Sequence, residues 1–259
     1  TVRGQKLIKY QHVSDFARLK VLIEEGGIYM DLDSISIKPF HPRLLCSGFE
    51  AVVGYQSERR REVAVGVIAT KRGSPWIKDV LKRSEEAFDG KWSSHSIGLL
   101  STLAKSADPR ILFLHEDAFY PMYSYLKALV GKNPEVARSF SWCQTYALHV
   151  FSSHPRLKDI MSKLSSSEDG GPCAALEEYP GGSPIYAAAA ALVCDALNRN
   201  ILPETQISKC KALAESVCSQ SYESFLPCMA NLDSELPRMS EAKADADTDH
   251  NDQQADLDI

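Results

Sequence analysis

None of the seven cysteines forms a CxxC pair, so the paired thiolates of a zinc knuckle are missing. Nor is there an apolar run near the roughly 18 to 20 residues that span a bilayer. Residues 1–30 lack the charged, apolar and small-residue order of a signal peptide. Basic charge is scarce: 29 Lys and Arg stand against 34 Asp and Glu, a net charge of −5, and only "RRR" at 59–61 is clustered. Without a positive field no nucleic-acid partner is expected, and the triplet reads as a solvated loop. A doubly wound nucleotide-binding sheet opens with a βαβ unit. The first element here reads as a helix, so the N-terminal βαβ unit is expected to be missing.

What the chain does have is a core-forming composition: 259 residues, 44% hydrophobic and 24% charged, enough for one large domain with appendages. Periodicity predicts helix over 14–25, strand over 28–32, extended chain over 35–38, and strands over 50–55 ("EAVVGY") and 63–69 ("VAVGVIA"). Helices near 74–88 and 94–105 follow, then strands at 111–114 ("ILFL") and 145–151 ("TYALHVF"). This order indicates an α/β layered domain over residues 1–165. "SSSEDGGP" and "EEYPGGSP" read as linkers, and the apolar stretches around 185–200 and 208–226 as a helical C-terminal appendage, together 166–232. In 233–259 acids dominate and apolar residues thin out, so this tail is expected to be disordered. Four cysteines between 194 and 228 leave two readings open, helix-bracing disulfides in a secretory lumen or buried thiols in the cytosol.

The chemistry concentrates in "SDFARLKVLIEEGGIYMDLDSI". Ser14 suits an N-cap and Asp15 the first helical turn, while Phe16, Leu19, Leu22 and Ile23 form the apolar stripe and Asp15 and Arg18 share a face. Gly26 or Gly27 ends the helix. In the strand that follows, alternation places Tyr29, Asp31 and Asp33 on one side and Ile28, Met30 and Leu32 on the core side. Two carboxylates so close at a strand's carboxyl end repel unless a cation lies between them, and hard oxygen ligands suit Mg²⁺ or Mn²⁺.

This segment resembles the signature of glycosyltransferases with a DXD-containing sugar-binding region, a group that includes initiation-type mannosyltransferases and α-1,4-galactosyltransferases. The resemblance implies a GT-A-like nucleotide-sugar transferase fold, a Rossmann-like mixed sheet flanked by helices, with residues 1–165 as a partial catalytic domain. It implies a UDP- or GDP-hexose donor, Mn²⁺ (or Mg²⁺), and retention of configuration on a glycan, glycolipid or glycoprotein acceptor. Carried over, Asp15, Arg18, Tyr29 and Asp31 would meet the donor, Asp31 and Asp33 would be the catalytic pair, and Asp33, Asp31 and His149 would hold the metal. Trp92, His95 and Ser96, in "KWSSHSIGLL", become acceptor-side candidates. The family's usual Asn before the glycine is here Val65. Relatives of this type lodge in the Golgi lumen through an upstream membrane anchor; a cytoplasmic location is the alternative.

Two other readings stand beside this one. A truncated or degenerate glycosyltransferase would act as a binding module. A haloacid-dehalogenase-like phosphohydrolase would use Asp31 as nucleophile and Asp33 as acid/base, but Ile35 stands where Thr or Val is expected and no later acidic pair supplies that enzyme's metal site.

Overall fold

The computed structural model describes residues 1–38, 40, 48–106, 108–130, 144–166, 171–179, 183–199, 215 and 218. Within them the chain forms a mixed four-stranded sheet flanked by helices, a separate two-stranded sheet, and a group of helices packed on the latter.

Helix α1 (Tyr10–Glu25) buries Phe16, Arg18, Leu19 and Leu22. It starts four residues before the expected cap: Lys9 is the N-cap, extended and without a side-chain cap bond. Ser14 therefore lies inside the helix, and Asp15 is not in its first turn. Their side chains are engaged across space instead, which outweighs the local preference of Ser and Asp for helix starts. Gly26 ends the helix at φ 68, donating its N–H to Leu22 O at 3.0 Å. A Cβ there would lie 2.8 Å from Arg72 Cα, so both conformation and space call for glycine.

Strand β1 (Gly27–Met30) pairs antiparallel with β4 (Glu62–Thr70); β4 pairs antiparallel with β3 (Ala51–Ser57), and β3 pairs parallel with β5 (Ile111–Leu114), giving the order β1-β4-β3-β5. β1 stops at Met30, short of the predicted end, and Leu32 and Asp33 lie in a turn. The expected core-facing set is also incorrect: Leu32 is fully exposed and Ile28 exposed, leaving only Met30 partly packed. Met30 packs on the second core and Tyr29 on the first, while Leu32 projects from the turn.

Alternation holds in the inner strands. Ala51, Val53, Tyr55, Ile111 and Val63 face a core shared with α1, α2 (Pro75–Ala87) and α3 (Ile97–Ala104), through Leu22, Trp76, Ile77 and Leu100. Val52, Leu112, Leu114 and Val67 face the other core, under Phe119, Tyr120 and Tyr146. Along β4 the parity flips, since Val65 packs with the first core and Val67 with the second. The β3–β4 register shifts between Val53 and Tyr55. Gly66 sits in this irregularity, where an unpaired residue re-aims the strand.

Strand β2 (Ser34–Ser36) pairs antiparallel with β6 (Ala147–His149). Against them pack α4 (Pro121–Val130), α5 (Pro155–Ser165), α6 (Gly171–Glu178) and α7 (Pro184–Asn198) around Ile35, Leu126, Leu148, Leu157, Leu176, Ile185 and Val193. Two of the helices start on a Ser-Pro step, Ser74-Pro75 and Ser183-Pro184, whose hydroxyls accept from Ile77 N and Tyr186 N. Neither α4 nor α5 was expected, although Leu157, Ile160 and Leu164 give α5 a helical spacing; α6 begins inside the first expected linker and ends inside the second, so neither is wholly a linker. The C-terminal helices thus share a core with β2 and β6. Cys194 of α7 is joined to Cys218, and Cys173 is also disulfide-bonded. The expected helix near 208–226, apart from residues 215 and 218, lies outside the described residues, as do linker residues 167–170 and 180–182 and the acidic tail.

Candidate metal and donor site

Four elements converge where β1 ends. α1 supplies Asp15 and Arg18, the turn after β1 supplies Asp31 and Asp33, the irregular part of β4 supplies two carbonyls, and β6 supplies His149. The Arg18 guanidinium, only 6% exposed, links them: its Nη2 lies 3.1 Å from Asp15 Oδ1 and its Nη1 3.1 Å from Asp31 Oδ1. Nη1 also donates to Val65 O at 2.7 Å, Nη2 to Ser14 Oγ at 3.1 Å, and the Tyr29 ring lies 4.6 Å below the guanidinium. The Val65 position thus contributes its backbone here, not a polar side chain.

Tyr29 donates its hydroxyl to Asp31 Oδ1 at 2.6 Å. Asp31 N–H donates to Gly66 O at 2.8 Å, which fixes the turn against β4. Burial alone would raise the Asp31 carboxyl, but His149, Arg18 and Tyr29 outweigh it and hold the group below its usual range. Asp33 is held from the chain just after β6: Ser152 donates to its Oδ2 through N–H at 2.8 Å and Oγ at 2.9 Å, and Val150 N–H donates to its backbone oxygen. Phe151, between them, takes φ 56. A β-carbon-bearing residue in that region is strained, and the bend it makes is what returns Ser152 to Asp33.

His149 Nε2 lies 3.2 Å from Asp31 Oδ2 and 3.4 Å from Asp33 Oδ1. The three side chains offer ligand atoms all within 4.8 Å of one another. Two carboxylate oxygens and an imidazole nitrogen suit a Mn²⁺-type ion, so the residues fit the metal that the DXD pattern implies. Nδ1 of His149 accepts the Phe151 N–H at 3.3 Å, which assigns the ring proton to Nε2 and makes His149 a bridge between the carboxylates. Ligation would displace that proton. Gly66 leaves the room: a Cβ there would lie 2.6 Å from His149 Nε2 and 3.0 Å from Asp31 Oδ2.

Of the expected acceptor-side residues, Trp92 is exposed, with Lys9 Nζ 6.0 Å from its ring centre. His95 and Ser96 are brought beside Asp15 and Arg18, on the wall of a small cavity. At the same carboxyl end of the sheet, His115 lies between Glu58 (2.8 Å) and Asp117 (3.3 Å), and Glu116 accepts from Glu58 N and Ser124 Oγ. Sequence reasoning missed Gly66, Ser152 and the Val65 carbonyl. "FSSH" offered hydroxyls after His149, but nothing in sequence spacing shows that β6 lies beside residue 33.

Residues 3–50 match the family model described as glycosyltransferase sugar-binding region containing DXD motif. The chain is also similar to Glucan organizing enzyme 1 of Cryptococcus neoformans var. grubii, with 29% identity over 173 residues, 64% of this chain and 46% of the relative. It therefore spans about half the length of that protein. No solved structure matches the chain. Over residues 3–50, the chain is thus similar to the DXD-containing sugar-binding region of glycosyltransferases.

Proposed function

We propose that this chain is the donor-binding part of a retaining hexosyltransferase with a GT-A-like fold, using a UDP- or GDP-hexose and transferring to a glycan, lipid or protein acceptor. The observation that carries it is the Asp31–Asp33–His149 group directly beside Arg18. Mn²⁺ held by Asp33, Asp31 and His149 would supply charge stabilisation for the departing diphosphate. Arg18 places a fixed guanidinium at the same point and adds a positive charge that needs no reorganisation. Asp15 fixes Arg18 from one side, and Tyr29 fixes Asp31 from the other. With charge and geometry set in advance, the protein's contribution is chiefly positioning.

A luminal setting in the Golgi, reached through a membrane anchor, is part of the proposal. The Cys194–Cys218 disulfide supports it, because such bonds persist in oxidising compartments. The test is a panel of nucleotide sugars with Mn²⁺, following donor hydrolysis and transfer for wild type and Asp33→Asn. Mn²⁺-dependent turnover lost in the variant is expected. Donor binding without turnover would favour the binding-module reading, and neither binding nor turnover with any donor would refute the proposal.

A further inference from the structure

Behind Asp15 lies a buried histidine that the metal site does not use. His95, in the turn before α3, has no exposed side-chain surface and so presents nothing to an acceptor. Its ring stacks on Phe16 at 5.2 Å and meets Phe88 and His12 edge-on, each at 5.0 Å. Its Nε2 lies 3.3 Å from Asp15 Oδ2, but the two are not aligned for a hydrogen bond, and among the described residues neither ring nitrogen has a partner. Buried polar side chains in folded proteins are nearly always paired, with protein or with ordered water.

Beside His95 is a cavity of about 10 Å³ where α1, α2 and α3 meet. Asp15, Arg18, Ser84, His95 and Ser96 form its polar wall, and apolar side chains such as Phe16 and Leu100 complete it. The two serines are themselves buried, at 2% and 8% exposure. A space of this size takes about one water molecule, which needs two to four polar partners. Water accepts from an imidazole N–H while it donates to a carboxylate and to a hydroxyl oxygen. It therefore links groups whose direct approach is misaligned, at little loss in bond strength.

We infer that His95 is a positioning residue for the donor site, holding Asp15 through one buried water shared with the serines of the cavity wall. This role rests on the nucleotide-sugar reading of the neighbouring Asp31–Asp33 site. The terminal torsion of an aspartate is soft, so a carboxylate tied at one oxygen alone swings, and the group it holds swings with it. With Oδ2 tied from behind, Asp15 keeps Oδ1 on Arg18 Nη2 at 3.1 Å, while Arg18 Nη1 reaches Asp31 Oδ1 at 3.1 Å and Val65 O at 2.7 Å. The order of contact is His95, Asp15, Arg18, Asp31. A guanidinium fixed in this way meets diphosphate charge without reorganising. His95 itself touches neither donor nor metal.

The test uses the full chain and its variants His95→Leu, His95→Phe and His95→Gln, alone and combined with Arg18→Met. Calorimetry measures the affinity for UDP and GDP with Mn²⁺ present, and EPR titration measures Mn²⁺ affinity. His95→Leu should weaken diphosphate binding about 10-fold, as loss of an outer-shell partner does, and leave Mn²⁺ affinity unchanged. His95→Phe keeps the ring contacts without the nitrogens and should behave alike, so it carries the comparison if the Leu chain fails to fold. His95→Gln, whose amide donates and accepts, should recover most of the loss. In the Arg18→Met chain, His95→Leu should change diphosphate affinity no further. Melting adds an independent sign. Removing a buried group that has no partner raises Tm, whereas removing one linked by water to Asp15 strands both and should lower Tm by about 2–8 °C. A higher Tm in the Leu and Phe chains overturns the inference. So does unchanged diphosphate affinity in either, or a loss that persists undiminished beside Arg18→Met. Each of these leaves the transferase reading intact, whereas wild type that binds neither UDP nor GDP with Mn²⁺ overturns both.

Discussion

Replacing Arg18 with Met removes the positive charge on which the donor-side carboxylates converge while keeping a long apolar stem. Arg18 is 6% exposed, against 12% for Asp15 and 23% for Asp31. Its loss leaves two part-buried carboxylates without their shared cation and leaves Val65 O without its 2.7 Å donor. Breaking a buried pair by removing one partner costs about 3–5 kcal/mol. Asp31 keeps His149 and Tyr29, which argues for the lower end, and the orphaned carbonyl adds on the order of 1 kcal/mol. A loss near 3–4 kcal/mol at pH 7 is therefore expected. The pH dependence has a definite sign. Asp31 lies below its unfolded value, so its stabilising contribution is present above an unfolded value of about 3.9 and is lost as pH falls through the folded value. Because Arg18 is one cause of that lowering, the gap between wild type and variant should be widest at neutral pH and narrow below about pH 4. Urea unfolding followed by tryptophan fluorescence at pH 7 and pH 3.5 measures it. A gap under about 1 kcal/mol at neutral pH, or one that widens on acidification, would refute the reasoning.

Gly66→Ala puts a methyl 2.6 Å from His149 Nε2; overpacking of about 1–3 kcal/mol is expected, together with weaker Mn²⁺ binding by EPR titration, and an unchanged melting temperature and Mn²⁺ affinity would contradict it. Asp33→Asn keeps an oxygen for the Ser152 donors at 2.8 and 2.9 Å but removes the charge, so the fold should persist while Mn²⁺ affinity falls at least about 10-fold. Equal affinity would remove Asp33 from the ligand set. His115 is raised above its usual value, chiefly by its hydrogen bond to Asp117 and with Glu58 adding. Its contribution to stability is present below about pH 6.5 and lost as pH rises through the folded value. Asp117→Asn should lower the His115 midpoint in an NMR titration, and an unmoved midpoint would place the cause elsewhere.

Much of the sheet was legible because its signals are local. The runs at 50–55, 63–69 and 111–114 became β3, β4 and β5, and the stretch around 145–151 contains β6. The DXD segment was legible for the same reason, since Arg18, Tyr29, Asp31 and Asp33 follow one another within a helix–turn–strand unit. Local preference misled where side chains found distant partners. Ser14 is a good cap by type, yet it sits inside α1 with its hydroxyl 3.3 Å from that of Tyr29 on β1. Leu32 is apolar and was assigned to a core, yet it projects into solvent from a turn. Helix α5 was not expected although Leu157, Ile160 and Leu164 keep helical spacing after Pro155; α6 runs into the turn-rich stretches on both sides of it, and both helices are buried by packing with β2, β6 and α7.

By itself the sequence determined which residues could make a charged site: a helix carrying Asp15 and Arg18, a glycine break, and two carboxylates two residues apart. Only the tertiary structure decided how they are used. His149, on β6, and Ser152, in the turn after it, reach the carboxylates from more than a hundred residues away, and the irregularity at Gly66 turns two backbone carbonyls toward Arg18 and Asp31. Closed pairing between distant strands sets these contacts, and no short-range spacing encodes it.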